Sequence, residues 1–198
     1  MESLMHFTQN YAGMITITVS AESIDSLIQD GLVIGYFSDE RPPRGLCGFV
    51  DWRLNGLISR HVARGTVTGT FMEKVLITPH KRIPSSKLLI IGLGESSNLT
   101  YERLHSAGQG IAETLSKIQC SDAAFDIPSP HRCGLNVSEM TTAMISGFAE
   151  ALLGKNSKTD SHAVSVLGDD SYRDEITLGV NQFKVNVKHT MKVFIHEA

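Results

Sequence analysis

A run of buried-type apolar residues, Lys87-Leu-Leu-Ile-Ile91, leads into Gly92-Leu-Gly94 and then into a polar turn, Glu95-Ser-Ser-Asn98. A glycine-rich turn opening onto a helix N-terminus presents free amides and the positive end of the helix dipole, both suited to phosphate or carboxylate. Gly92 and Gly94 are therefore candidates for backbone contact with a small anionic, nucleotide-like ligand, with Ser96, Ser97 and Asn98 as side-chain donors. A Gly-x-Gly pair lacking a third glycine or a P-loop lysine is equally a plain strand-to-helix turn, so both readings stand.

Metal and thiol chemistry find less to work with. None of the eight histidines forms a His-x-x-x-His pair or a Cys/His cluster of zinc spacing. His162, with Asp160, Asp169 and Asp170 nearby in sequence, could approach a cation; the alternative is a set of solvated loop carboxylates. Cys47, Cys120 and Cys133 show no paired spacing, and an odd count argues against a disulfide framework and for a reducing, cytoplasmic setting. All three cysteines read as ordinary packing residues; the alternative is a reactive Cys133 in Ser129-Pro-His-Arg-Cys-Gly134, where His131 and Arg132 could lower the thiol pKa. No cofactor and no metal site is expected.

These groups sit in a chain of 198 residues with formal charge −3, 41% hydrophobic and 20% charged. That is ample for a hydrophobic core and suits one domain over residues 1–198. Disorder, collagen-like repeats and coiled coils are excluded by composition, and a weakly acidic chain has no global attraction to nucleic acid or anionic membrane. Neither an export signal nor a stretch long enough to span a bilayer is expected. The charge is uneven: seven Lys/Arg against Glu73 between Trp52 and Gly94 make +6, leaving −9 elsewhere. Such a dipole can dock an acidic partner, or it can be a set of solvated faces.

The elements that must position these groups alternate. Met14–Val19 reads as a strand, and Leu32–Phe37, Lys74–Thr78 and Lys87–Ile91 as buried strands. Gly45–Arg64 carries Leu46, Phe49, Val50, Leu54, Leu57, Ile58 and Val62 at helical spacing, with Asp51, Arg53, Asn55 and Arg60 opposite. Asn98 can cap a helix reaching Ile118. Ala123–Ile127 is a short strand. Asn136-Val-Ser-Glu139 fits a capping box before a helix to Gly154, Glu139 reaching back to the Asn136 amide. A loop over 155–161, a strand at Ala163–Leu167, a helix capped by Ser171 and a strand at Met191–Ile195 complete the order. Phe183, Val185 and Val187 also alternate as a strand would. Strands alternating with crossover helices imply an α/β fold with a mixed, mostly parallel sheet.

Asp51-Trp-Arg-Leu-Asn-Gly-Leu-Ile-Ser59, Thr68-Gly-Thr-Phe-Met-Glu-Lys74, Leu88-Leu-Ile-Ile-Gly-Leu-Gly94 and Tyr101-Glu-Arg-Leu-His-Ser-Ala-Gly108, in this order, resemble the amino-terminal domain of the leucine (cytosol) aminopeptidase family. The resemblance runs from about Met14 to Leu167. It implies a three-layer α/β/α macro-domain-like fold. The family's two-metal chemistry resides in a separate carboxy-terminal domain with an Asn-Thr-Asp-Ala-Glu-Gly-Arg signature, which this sequence does not contain. The expectation is therefore a free-standing, non-catalytic relative that acts in assembly or regulatory interaction, as a homo-oligomer or beside a full-length aminopeptidase. Two alternatives are a binder of a small anionic ligand at the Gly92–Asn98 turn and a metal-dependent aminopeptidase by family assignment alone. Typical macro domains hold ADP-ribose with an Asn-containing strand end and a longer glycine-rich loop, and neither pattern is clear here.

Overall fold

A computed structural model describes residues 13–20, 23–153 and 161–197. Among these residues seven strands form one sheet: β1 (Gly13–Ser20), β2 (Gly31–Phe37), β3 (Lys74–Ile77), β4 (Lys87–Gly94), β5 (Asp122–Asp126), β6 (Ser161–Leu167) and β7 (Met191–Glu197). Their spatial order is β3-β4-β2-β5-β6-β1-β7. Only the edge strand β3 runs antiparallel, so the sheet is mixed and mostly parallel.

Alternation along the central strands sorts side chains to two faces. Val33 of β2 and Leu89, Ile91 and Leu93 of β4 enter one core with Ile15, Ile17, Phe125 and Val166. Leu32, Ile34 and Tyr36, with Leu88 and Ile90, enter the other. Helices α3 (Tyr101–Lys117), α5 (Val137–Leu153) and α6 (Arg173–Asn186) cover the first face. The helices α1 (Gly45–Arg53) and α2 (Leu57–Ala63) cover the second, giving three layers. A four-residue helix, α4 (Pro130–Cys133), follows β5.

Several local expectations change. The periodic stretch 45–64 is two helices, because Asn55 and Gly56 take φ of 55° and 72°, the left-handed region these two residue types tolerate best. Asp51, expected on the polar face, is buried. Its carboxylate accepts the Ser59 amide at 3.0 Å and the Ser59 hydroxyl, so it satisfies the start of α2 where Gly56 has no side chain to do so. The cap of α3 is Thr100, whose Oγ1 accepts from the Arg103 amide at 3.3 Å; Asn98 instead donates to Glu95. Asn136 caps α5 through Oδ1, but its own amide donates to the Tyr101 hydroxyl, which also bonds Glu139. Ser171 does not cap α6, which starts after Tyr172 with no side-chain cap; Asp169 caps the short 3-10 turn ahead of it (Asp170–Tyr172), accepting from the Ser171 amide at 2.9 Å. The ambiguous 183–187 stretch is helical to Asn186, with Phe183 buried and Val185 outside. The N-terminal segment and the polar stretch at 155–160 lie outside the described residues.

Candidate functional site

From β2 the chain crosses to β4 on one side, and from β5 it proceeds to β6 on the other, although β2 and β5 are neighbours. Parallel α/β sheets open a crevice at such a reversal, outside the carboxyl ends of the strands. Here β2 pairs with β5 only from Gly31–Ala123 to Val33–Phe125, whereas its pairing with β4 continues to Phe37. Past Phe125 the two strands part. A cleft of about 510 Å³ fills the gap, within the usual range for a small-molecule site.

Gly35 and Phe37 of β2, Leu93 of β4, Asp126 of β5 and Leu167 of β6 line its base. One wall is the start of α1: Arg44, Leu46, Cys47 and Phe49. The opposite wall is the segment from Pro128 to Arg132 with the loop after β6, including Asp169 and Tyr172. His131 Nε2 and the Tyr172 hydroxyl lie 2.7 Å apart, joining those two loops at the mouth. Arg132 reaches Asp39 at 3.6 Å and the buried Glu40 at 4.0 Å, and so ties the loop after β2 to α4. Arg44 has no ion pair or side-chain hydrogen bond among the described residues.

The electrostatics of the interior follow from burial. Desolvation pushes the Asp126 carboxyl up to about 8, and no hydrogen bond to it is found among the described residues. Burial, reinforced by Glu40, Asp51 and Asp126, pushes the Cys47 thiol far up. Cys133 is also raised by burial, which favours the ordinary packing reading over lowering by His131 and Arg132. Poor solvation of the anion holds both thiols toward their neutral form, the direction opposite to activation.

The Gly92–Asn98 turn lies behind this cleft and contributes only Leu93 to its lining. The Gly92 and Gly94 amides donate to the Glu73 and Gly69 carbonyls at 2.8 Å each. A Cβ on Gly92 would lie 2.0 Å from the Thr70 carbonyl oxygen, so this glycine serves a backbone crossing. Ser96 donates its amide (3.0 Å) and hydroxyl (2.7 Å) to Asp39, and Asn98 is held by Glu95 at 2.9 Å. Ser97 is exposed. His162 stands at the opposite end of β6 from Asp169 and Asp170, beside a smaller hollow of about 250 Å³, so these two acids do not join it; Asp160 lies outside the described residues. Among the described residues no three His, Cys, Asp or Glu side chains group as metal ligands. Asp126 was missed because it reads as the last polar residue of a short strand. Its signal was an acid at the carboxyl end of a buried strand, directly before Ile127-Pro128.

The fold and its crevice define a macrodomain-like α/β protein. A macrodomain from Trypanosoma brucei solved with ADP-ribose superposes with a TM-score of 0.66 at 15% identity, covering 85% of this chain and 68% of that one. A point mutant of tomato leucine aminopeptidase superposes at 0.61 and 18% identity, covering 84% of this chain and 35% of that one. In sequence, a probable cytosol aminopeptidase of Geobacter sp. (strain M21) is 28% identical over 112 residues, 57% of this chain and 22% of that protein. The profile of the cytosol aminopeptidase family, N-terminal domain, matches residues 33–173. The chain belongs to that family, through this domain, and its match spans about a fifth of that curated relative's length. Among the described residues no helix is long and apolar enough to cross a membrane.

Proposed function

We propose that the cleft binds a small anionic ligand of nucleotide type, and that the chain is a binding domain without peptidase chemistry of its own. The observation that carries this reading is the wall formed by α1. Its first turn lines a crevice at the sheet's reversal point, contains no acidic residue, is capped by no side chain, and has Arg44 beside it. Amides and a dipole end with a guanidinium at hand suit phosphate, while Phe37, Leu46, Leu93 and Ile127 supply an apolar bed. The ADP-ribose complex of a protein with this fold supports the ligand class. The absence of peptidase action is supported by the match to an N-terminal domain profile.

Thermal denaturation with ADP-ribose, ADP and AMP tests it. Ligand at a hundred times its Kd adds about 2.7 kcal/mol of stability, so Tm climbs with concentration. A Tm that stays flat to millimolar ligand overturns the reading. Arg44→Ala abolishes the shift if the ligand occupies the cleft, and Ser97→Ala abolishes it if the ligand occupies the Gly92–Asn98 turn. Leucine p-nitroanilide with added manganese or zinc is expected to show no hydrolysis.

A role in assembly is a second reading, favoured by α6. Leu178 and Val185, two helical turns apart on one side, are 52% and 63% exposed, although both are apolar. We infer that this face meets a second copy or a full-length relative. Light scattering is expected to show an oligomer that the Leu178→Asp/Val185→Asp double variant reduces to monomer. A monomeric parent protein that retains no full-length relative in a pull-down overturns this reading.

A further inference from the structure

We propose that Phe49 and Trp52 form a stacking platform on the rim of the cleft, which takes a flat aromatic ring of the bound ligand while Arg44 pairs with its anionic group. This rests on the cleft-binding reading and specifies the ligand further, as a ring-bearing anion. Phe49 and Trp52 stand three residues apart on α1, so they share a face. Phe49 lines the cleft yet is 40% exposed, and Trp52 beside it is 67% exposed. Their ring centroids are 5.9 Å apart with planes at 34°. Two adjacent aromatic side chains left in water forgo burial that would stabilise the fold, which marks a surface meant to be covered.

The platform is held in place from behind. The Arg53 guanidinium lies 5.7 Å from the Trp52 ring centroid and is fixed by Asp25 at 2.6 Å. Trp52 is thus positioned before any ligand arrives, which lowers the ordering cost of binding. The charge pattern selects the occupant. Arg53 and Arg132 are matched by carboxylates, and Arg60 and Arg103 by backbone carbonyls. Arg44 has no such partner among the described residues and lines the same wall as Phe49. An unmatched cation next to open rings calls for a ligand with both an anionic group and a π face. Phe37, the other phenylalanine lining the cleft, is buried and offers no open ring face.

Trp52 is the protein's one tryptophan, so intrinsic emission reports on this platform alone. ADP-ribose, which carries a ring, and ribose 5-phosphate, which does not, are titrated in parallel by calorimetry and by fluorescence. The expected result is that ADP-ribose quenches Trp52 emission and ribose 5-phosphate leaves it unchanged. Phe49→Ala is expected to weaken ADP-ribose binding about fivefold or more, and ribose 5-phosphate binding not at all. Phe49 is a surface residue, and far-UV circular dichroism confirms that the variant folds. ADP-ribose heat with unaltered Trp52 emission, and an unchanged Kd in Phe49→Ala and Trp52→Ala, overturns the platform while leaving cleft binding in place. No heat from either ligand overturns cleft binding and the platform with it.

Discussion

Asp126 concentrates the physical tension of the cleft in one side chain. Its pKa is raised from an ordinary 3.8 to about 8, and burial is the whole cause. An unfolded chain releases this proton near pH 4, whereas the folded protein keeps it to about pH 8. The folded state therefore binds more protons across that window, and stability falls as pH rises through it, then levels off above 8. Asp126→Asn, which resembles the protonated acid in shape and charge, is expected to flatten this decline. Urea midpoints of parent and variant should agree near pH 4 and diverge in the variant's favour at pH 8. Equal slopes in the two proteins would mean that the carboxyl is solvated.

Helices α3 and α5 cross backbone to backbone. A Cβ on Gly108 would lie 2.0 Å from the Met144 carbonyl oxygen, and one on Gly147 would lie 1.9 Å from that of His105. Both contacts are to main chain, which cannot rotate away. Gly147→Ala is expected to cost at least about 2 kcal/mol through overpacking, despite alanine's better helix propensity, read as a lowered urea midpoint. Thr100→Ala removes the side-chain cap on α3 and is expected to cost about 1 kcal/mol by the same measurement. Periodicity made these helices readable in sequence. Of the apolar stripe Leu104, Ala107, Ile111, Leu115 and Ile118, the first four are buried in the core and Ile118, just past the helix, packs half-buried against it. Periodicity failed at 54–56, where Leu54 and Leu57 keep the helical rhythm while Asn55 and Gly56 turn the backbone left-handed. It also failed at Asp51, because an acid opposite an apolar stripe looks solvated until Ser59 folds back onto it.

At the scale of the whole molecule, the sheet was legible and the cleft was not. Alternation in 32–37 and 88–93 separates two cores directly. The cleft, however, joins Phe37, Arg44, Asp126, Arg132 and Tyr172, which only the strand order brings together. The turn at 92–98 carried the stronger local signal, but its donors meet Asp39 and the 69–73 backbone, groups without a motif. Part of the charge asymmetry is settled internally, since Arg53 and Lys87 of the basic segment pair with Asp25 and Asp30 outside it. The titrating groups together shape a pH profile. Asp30, held down by Lys87 and Ser86, and Asp39, held down by Ser96, stabilise the fold above the unfolded carboxylate pKa. That contribution disappears as pH falls through their lowered values, whereas Asp126 withdraws stability from about pH 4 to 8. The urea midpoint is expected to peak between about pH 4 and 6, and a peak at pH 8 would contradict this balance.

The parallel seating of β7 against β1 gives the molecule a direction. Both strands point the way β2 and β5 do, toward the open end of the sheet, so β7 ends at Glu197 on the same side as the cleft mouth. The first residue of β1, Gly13, lies at the opposite end of the sheet. Three strand spacings separate β7 from β5, roughly 15 Å. A partner joined directly after Glu197 thus starts on the side from which ligand approaches the cleft, whereas one joined directly before Gly13 starts on the other.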